Sequence, residues 1–105
     1  MKLAPHDLER VATLFRAFSE PTRLAIVQEL KEGEKSVSEI VDALTTTQAN
    51  VSKQLRLLHQ AGILTRRKDG TSVLYGIGDT MVFELCRLVC DKLNRDLSKS
   101  KRLKF

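Results

Sequence analysis

The chain has 105 residues, a formal net charge of +5 at pH 7 and two cysteines, which is the size of a single domain. No apolar run of about 18 residues occurs, and the first residues lack the apolar segment of a signal peptide. We therefore expect a cytoplasmic protein without membrane contact, whose cysteines are thiols rather than a structural disulfide.

Apolar residues at helical spacing predict two helices in the first third of the chain. The first pattern covers residues 8–18 and follows Pro5, a residue that is tolerated in the first turn of a helix. The second pattern begins at Pro21, with Ser19 or Glu20 as the capping residue.

A short helix, a turn and a longer helix are predicted next. Residues 36–39, Ser-Val-Ser-Glu, match a capping box and start a helix that reaches Leu44. Thr45 and Thr46 form a tight turn into a fourth helix, which ends at residues 61–62. This succession predicts a helix-turn-helix.

The fourth helix has two different faces. Its apolar face consists of Val51, Leu55 and Leu58. Its polar face consists of Gln48, Ser52 and Arg56, with Lys53 beside them. These polar side chains suit base edges and phosphates in a major groove, and no acidic residue occurs over residues 43–68.

A β-hairpin is predicted after the fourth helix. Its strands cover residues 63–68 and 72–77, and Asp69-Gly70 is the expected two-residue turn. Three basic residues lead into the tip, namely Arg66, Arg67 and Lys68. A basic hairpin in this position is typical of the wing of a winged helix, which holds phosphates beside the groove.

A fifth helix completes the predicted fold, which is mainly α in the order α-α-α-α-β-β-α. Asp79 or Thr80 caps this helix, and an apolar stripe follows it over residues 82–97. We expect one winged helix-turn-helix domain for DNA binding and dimerisation over residues 1–98, followed by a basic mobile tail over residues 99–105.

The positive charge is unevenly distributed along the chain. Residues 1–42 have a net charge of −2, residues 43–78 of +4 and residues 79–105 of +3. The excess therefore falls on the candidate DNA-reading unit and the C-terminal part, although a solvated basic surface would show the same balance.

Over residues 8–97 the chain resembles the ArsR/SmtB family of bacterial winged-helix repressors. The likeness rests on residues 19–24 (Ser-Glu-Pro-Thr-Arg-Leu), on the start of the fourth helix at residues 47–55, and on the hairpin between residues 62 and 75. It implies a homodimer, built mainly by the first and last helices, that blocks transcription at an operator. It also implies that a metal, a metalloid or an oxidant releases the DNA.

The resemblance and the polar face together define candidate DNA contacts on a double-stranded, inverted-repeat operator. The candidate residues are Thr47, Gln48, Asn50, Ser52, Lys53, Arg56, Arg66, Arg67, Lys68 and Thr71. For Asn50, a capping role at the start of the helix is the alternative.

Two metal sites of related proteins have no counterpart here. The third helix has no cysteine at its start, where many metal-sensing relatives carry cysteines. Asp79 could match the acidic ligand of zinc-sensing relatives. However, the apparent histidine positions hold Met81, Lys92 and Arg95. Lysine and arginine do not ligate Zn²⁺ at neutral pH, so we expect no such zinc site.

Cys86 and Cys90 remain as a candidate sensing site, because they lie four residues apart on one face of the fifth helix. The pair could chelate a soft ion such as As(III), Cd²⁺ or Cu⁺, could be oxidised, or could bridge to the other subunit. Alternatively both thiols only pack the core, since free cysteine is among the most buried residue types. The spacing of the two cysteines is therefore compatible with a metal or metalloid ion bound by their thiolates, and equally with a protein that has no cofactor.

An enzyme is not expected from this sequence. It shows no nucleophile–base pairing, no glycine-rich phosphate loop and no cluster of carboxylates with histidine. Two alternatives to an inducible repressor stay open: a repressor without any inducer, and a winged helix that serves as a protein–protein adaptor.

Overall fold

The computed structural model describes residues 2–96 and 102–105. It confirms a mainly helical winged helix-turn-helix. The elements are α1 (Pro5–Ala17), α2 (Pro21–Leu30), β1 (Lys35–Ser36), α3 (Val37–Ala43), α4 (Gln48–Gln60), β2 (Leu64–Asp69), β3 (Ser72–Ile77) and α5 (Met81–Asp96). None of the described helices is both long enough and apolar enough to cross a membrane.

Side-chain caps determine where several helices begin. Glu20 caps α2 by accepting a hydrogen bond from the backbone N–H of Arg23 at 2.8 Å. At α3 the expected capping box is confirmed, because Glu39 N–H donates to Ser36 Oγ and Ser36 N–H donates to Glu39 Oε1. Asp79 accepts from the N–H of Met81 before α5. These bonds satisfy amides that the first helical turn leaves unpaired.

A three-stranded antiparallel sheet in the order β1-β3-β2 forms the wing and its base. β1 was not expected from the sequence, because a strand of two residues has no detectable periodicity. β1 pairs with the middle strand at Lys35↔Tyr75 and Ser36↔Leu74, so it fastens the start of α3 to the hairpin.

The turn of the hairpin lies one residue later than expected. Asp69 pairs with Ser72, so the two loop residues are Gly70 and Thr71 rather than Asp69 and Gly70. Gly70 has φ of +65°. A glycine at the first central position is what a type II′ turn requires, and this turn matches the twist of the strands.

The core lies beneath α4 and is shared by most elements. The predicted apolar face of α4 is confirmed, since Val51, Leu55 and Leu58 are completely buried. In contrast, α1 has no buried residue, and only Val82 and Cys86 are buried on α5. Apolar side chains of both helices, among them Leu8, Phe15 and Val89, therefore remain exposed. Residue 97, the last member of the predicted stripe, lies outside the described residues.

The end of the described chain lies against α5 and α2. Asn94 accepts a hydrogen bond from the N–H of Leu103 and donates one to its carbonyl oxygen. Lys31 Nζ donates to the carbonyl oxygen of Phe105 at 2.7 Å. Leu103 and Phe105 belong to the predicted mobile tail, of which residues 99–101 are outside the described part. The division of the chain at residue 98 stays a prediction.

Candidate nucleic-acid interface

The polar face of α4 points away from the core. Gln48, Lys53 and Arg56 are exposed and Ser52 is partly exposed, and we call these four residues the reading face. The chain buries none of them, so all four can contact a ligand. Thr47, also exposed, is the N-cap of α4 and accepts a hydrogen bond from the backbone N–H of Asn50 at 3.1 Å.

Asn50 differs from the reading face because its side chain is engaged within the chain. Its amide nitrogen donates to Thr46 Oγ1 at 3.0 Å, and its amide oxygen accepts from Gln54 Nε2 at 3.0 Å. Asn50 is not the cap of the helix, since Thr47 occupies that position. Its side chain holds the turn before α4 instead, and a contact to a base edge stays a prediction.

Two residues that the sequence analysis did not assign complete this arrangement. Gln54 is the one buried polar residue in the described part of the chain, at 5% exposure. Its amide oxygen accepts from Arg23 at 2.7 Å. The helical period could have predicted that Gln54 is buried, because residue 54 lies on the same side of the helix as the buried residues 51, 55 and 58. No sequence pattern identified Arg23 as its partner.

The wing adds cations beside α4. Arg66, Lys68 and Thr71 are exposed near the hairpin tip. Arg67 is also exposed, but its guanidinium donates to Glu34 through Nη2 at 2.8 Å and through Nε at 3.0 Å. These hydrogen bonds hold the pKa of the Glu34 carboxyl below its usual value. Glu34 therefore adds a second carboxylate to the wing, beside Asp69 at the end of β2.

The middle strand leaves room for this ion pair at Gly76. A Cβ atom at this position would lie 3.0 Å from Cγ of Glu34 and 3.1 Å from Oγ1 of Thr65. Because glycine has no side chain, Glu34 can reach across β3 toward Arg67. A side chain at residue 76 would have to displace Glu34 or Thr65 from these positions.

The two cysteines lie at an apolar cavity between α1 and α5. The cavity has a volume of about 310 Å³, and Phe15, Phe18 and Phe105 contribute to its wall with both thiols. Cys86 is buried at 6% exposure and Cys90 is partly buried, and neither forms a disulfide. Burial raises the pKa of the Cys86 thiol, and the neighbouring Cys90 adds to this effect.

The described part of one chain contains no group of three or more His, Cys, Asp or Glu side chains that could hold a metal ion. Cys86 and Cys90 could supply two soft ligands to a metal ion. Because no third such side chain lies with them in the described residues, a further ligand would have to come from outside this group. What the cavity offers within one protomer is an apolar pocket with two thiols in its wall.

Comparison of the sequence with known proteins identifies a family and several relatives. Residues 20–66 match the family described as bacterial regulatory protein, arsR family. An uncharacterized HTH-type transcriptional regulator of Methanocaldococcus jannaschii, MJ1325, is 43% identical over 82 residues, which cover 77% of this chain and 92% of that protein. A probable mercury resistance operon repressor of Streptomyces lividans is 35% identical over 80 residues, covering 76% of this chain and 64% of the repressor.

The fold has solved counterparts as well. The homodimeric winged helix-turn-helix DNA-binding domain of Mb0332 from Mycobacterium bovis superposes with a TM-score of 0.76 at 25% identity, covering 94% of this chain and 97% of that domain. These findings confirm the resemblance seen in the sequence and the expectation that the protein is not an enzyme. The chain belongs to the ArsR family of bacterial regulatory proteins, which are winged-helix, DNA-binding regulators and repressors of transcription.

Proposed function

We propose that the protein is a cytoplasmic, dimeric repressor that binds an inverted-repeat operator in double-stranded DNA. The observation that carries this proposal is the exposed reading face of α4, which projects from a helix whose opposite side is completely buried. A rigid helix with one free polar face can enter a major groove and present its side chains to base edges.

The proposed contacts divide into two groups. Gln48 and Ser52 read base edges, while Lys53 and Arg56 bind bases or phosphates. The wing residues Arg66, Lys68 and Thr71 bind phosphates beside the groove, and Thr47 does so at the N-terminus of α4, where the helix dipole favours an anion. Arg67 contributes less than its neighbours, because Glu34 already neutralises it.

A dimer is proposed because both terminal helices expose apolar surface. Leu8 and Phe15 on α1 are 54% and 57% exposed, and Val89 on α5 is 51% exposed. Soluble monomers rarely expose contiguous apolar patches of this kind, and the homodimeric Mb0332 domain supports the same arrangement here. A twofold dimer places two copies of α4 side by side, which requires an inverted repeat with half-sites about one helical turn or a multiple apart.

The proposed signal acts at Cys86 and Cys90. Two thiols on one helix face suit a soft metal or metalloid ion, or an oxidant, and the mercury resistance repressor supports a soft metal. A further ligand would come from the second protomer. A repressor without an inducer is the second candidate, because Cys86 is buried and its raised pKa disfavours the thiolate that binds metals.

The test of DNA reading is selection of binding sites from a random duplex pool, followed by measurement of Kd on the selected site. We expect an inverted repeat, and we expect Lys53→Ala and Arg56→Ala each to weaken binding by roughly 5- to 150-fold. Lys2→Ala, a charge-matched change at an exposed residue before α1, is the control. The proposal fails if Lys53→Ala and Arg56→Ala bind the operator as tightly as the unmodified protein.

The test of sensing uses the same operator and the double variant Cys86→Ser/Cys90→Ser. Hg²⁺, Cd²⁺, As(III) and hydrogen peroxide are added in turn to the DNA-bound dimer. Release of the unmodified protein but not of the double variant supports sensing at these thiols. Equal release of both proteins places the sensing site elsewhere, and no release by any of the four supports the repressor without an inducer.

A further inference from the structure

We infer that Arg23 and Gln54 form a hydrogen-bonded relay that transmits changes at the thiol cavity to α4. We call the connected side chains of Arg23, Gln54, Asn50 and Thr46 the Arg23 relay. The inference rests on the proposed function in one respect only, namely that α4 is the helix that reads DNA.

The relay begins at the C-terminal end of α1. Arg23 Nε donates to the carbonyl oxygen of Ala17 at 2.8 Å, and Arg23 Nη2 donates to the carbonyl oxygen of Arg16 at 2.9 Å. The last carbonyls of a helix have no partner within the helix, and a cation is favoured there by the helix dipole. Arg23, which belongs to α2, therefore holds the last turn of α1 in place.

The relay continues into α4 through side chains alone. Arg23 Nη1 donates to Gln54 Oε1 at 2.7 Å. Gln54 Nε2 then donates to Asn50 Oδ1, and Asn50 Nδ2 donates to Thr46 Oγ1, each at 3.0 Å. In the described residues no buried side-chain nitrogen or oxygen lacks a hydrogen-bond partner. Breaking one bond would leave buried Gln54 partly unpaired, which is unfavourable. A displacement of the α1 end is therefore passed on to α4.

The same end of α1 forms part of the wall of the thiol cavity. Phe15, Phe18 and Ser19 line this cavity together with both cysteines, and Ser19 Oγ donates to the carbonyl oxygen of Phe15 at 2.9 Å. A group added to either thiol would enter this cavity and contact its aromatic wall, and Phe18 directly follows the turn that Arg23 holds. The relay thus connects the cavity with the reading helix by an unbroken series of contacts.

Arg23 and Gln54 are positioning residues rather than DNA contacts. Gln54 is buried on the core side of α4. Arg23 is partly buried, and three of its guanidinium N–H groups are used within the chain. Their loss should therefore change the response to thiol modification more than the basal affinity for DNA.

The experiment compares the unmodified protein with Gln54→Met, which preserves the size of the side chain but removes both hydrogen bonds. Arg23→Lys is the second variant, because a single ammonium cannot serve three acceptors in the geometry of a guanidinium. Gln60→Met, an exposed change on the same helix, is the control. Each full-length protein is treated with methyl methanethiosulfonate, which converts a thiol to a methyl disulfide, and mass spectrometry verifies the modification.

Two readouts are measured, amide hydrogen exchange and operator Kd. In the unmodified protein and in Gln60→Met, we expect methylthiolation to change exchange in α1, in α5 and at the start of α4, and to weaken operator binding by roughly 5- to 150-fold. In Gln54→Met and Arg23→Lys, methylthiolation should change amide exchange only in α1 and α5. It should leave the operator Kd of these two variants nearly unchanged.

The outcomes separate the relay from the proposed function. If exchange at α4 responds equally in all four proteins, or does not respond in the unmodified protein, the relay is wrong. If exchange behaves as expected but no operator is bound by any of them, the relay stands and the DNA-binding proposal fails. A circular dichroism melt of each variant confirms that it is folded before either readout is interpreted.

Discussion

Glu34 holds the guanidinium of Arg67 across the middle strand of the wing, although the two residues are 33 positions apart in the sequence. Arg67 lies between Arg66 and Lys68, in the run predicted to bind phosphates. One of three adjacent cations is thus neutralised within the protein. The wing therefore carries a weaker positive field than its sequence indicates.

Removing this carboxylate should strengthen DNA binding. We expect Glu34→Gln to lower the operator Kd by roughly two- to fivefold at low salt and to steepen the dependence of log Kd on log salt by about one, because Arg67 gains one phosphate contact. The measurement is a salt titration of Kd by fluorescence anisotropy. Glu32→Gln changes the net charge equally but frees no wing arginine, since Glu32 pairs with Lys35. If both variants bound the operator more tightly by the same factor, the change in net charge alone would explain the effect.

The dimer should depend on the exposed apolar face of α5. We expect Val89→Asp to yield monomers and to weaken operator binding at least about tenfold, because a charge within the proposed apolar interface loses its hydration without gaining a partner. Sedimentation equilibrium measures the mass. Arg87→Glu places a carboxylate at an exposed position of the same helix that already carries a charged side chain, and it should leave the dimer intact. A dimeric Val89→Asp protein would show that the interface lies elsewhere.

The two thiols should differ in reactivity and in pH dependence. Burial raises the pKa of Cys86, so its thiolate fraction at a given pH is smaller, and its alkylation rate should rise only above the pH at which an ordinary thiol ionises. We therefore expect Cys86 in Cys90→Ser to react with iodoacetamide more slowly than Cys90 in Cys86→Ser, most clearly near neutral pH. Mass spectrometry follows both rates, which should become equal in denaturant. Faster alkylation of Cys86 in the folded protein would contradict this assignment.

The capping box of α3 should contribute measurably to stability. Ser36→Ala removes the acceptor for the backbone N–H of Glu39 and should lower the free energy of unfolding by about 1 kcal/mol. Urea denaturation at constant protein concentration gives this value. Thr45→Ala, which removes an exposed hydroxyl beyond the C-terminal end of α3, is the control. Equal losses in both variants would mean that the cap contributes nothing specific.

Periodicity in the sequence was sufficient for the helical framework and for the two faces of α4. An α-helix repeats every 3.6 residues, so the side that packs against the core is recorded in local residue spacing. Val51, Leu55 and Leu58 were assigned to the core on this basis and are completely buried. The capping box at Ser36 was recognisable for the same reason, since both of its hydrogen bonds join residues three positions apart.

Tertiary structure alone decided which distant residues meet. β1 became visible only through its pairing with β3, and the Arg23–Gln54 and Glu34–Arg67 contacts join residues 31 and 33 positions apart. Local spacing cannot encode such partners, because they depend on how separate elements pack and on the open space at Gly76. The sequence thus determined the helix that can read DNA, whereas packing determined how that helix is held and how much charge surrounds it.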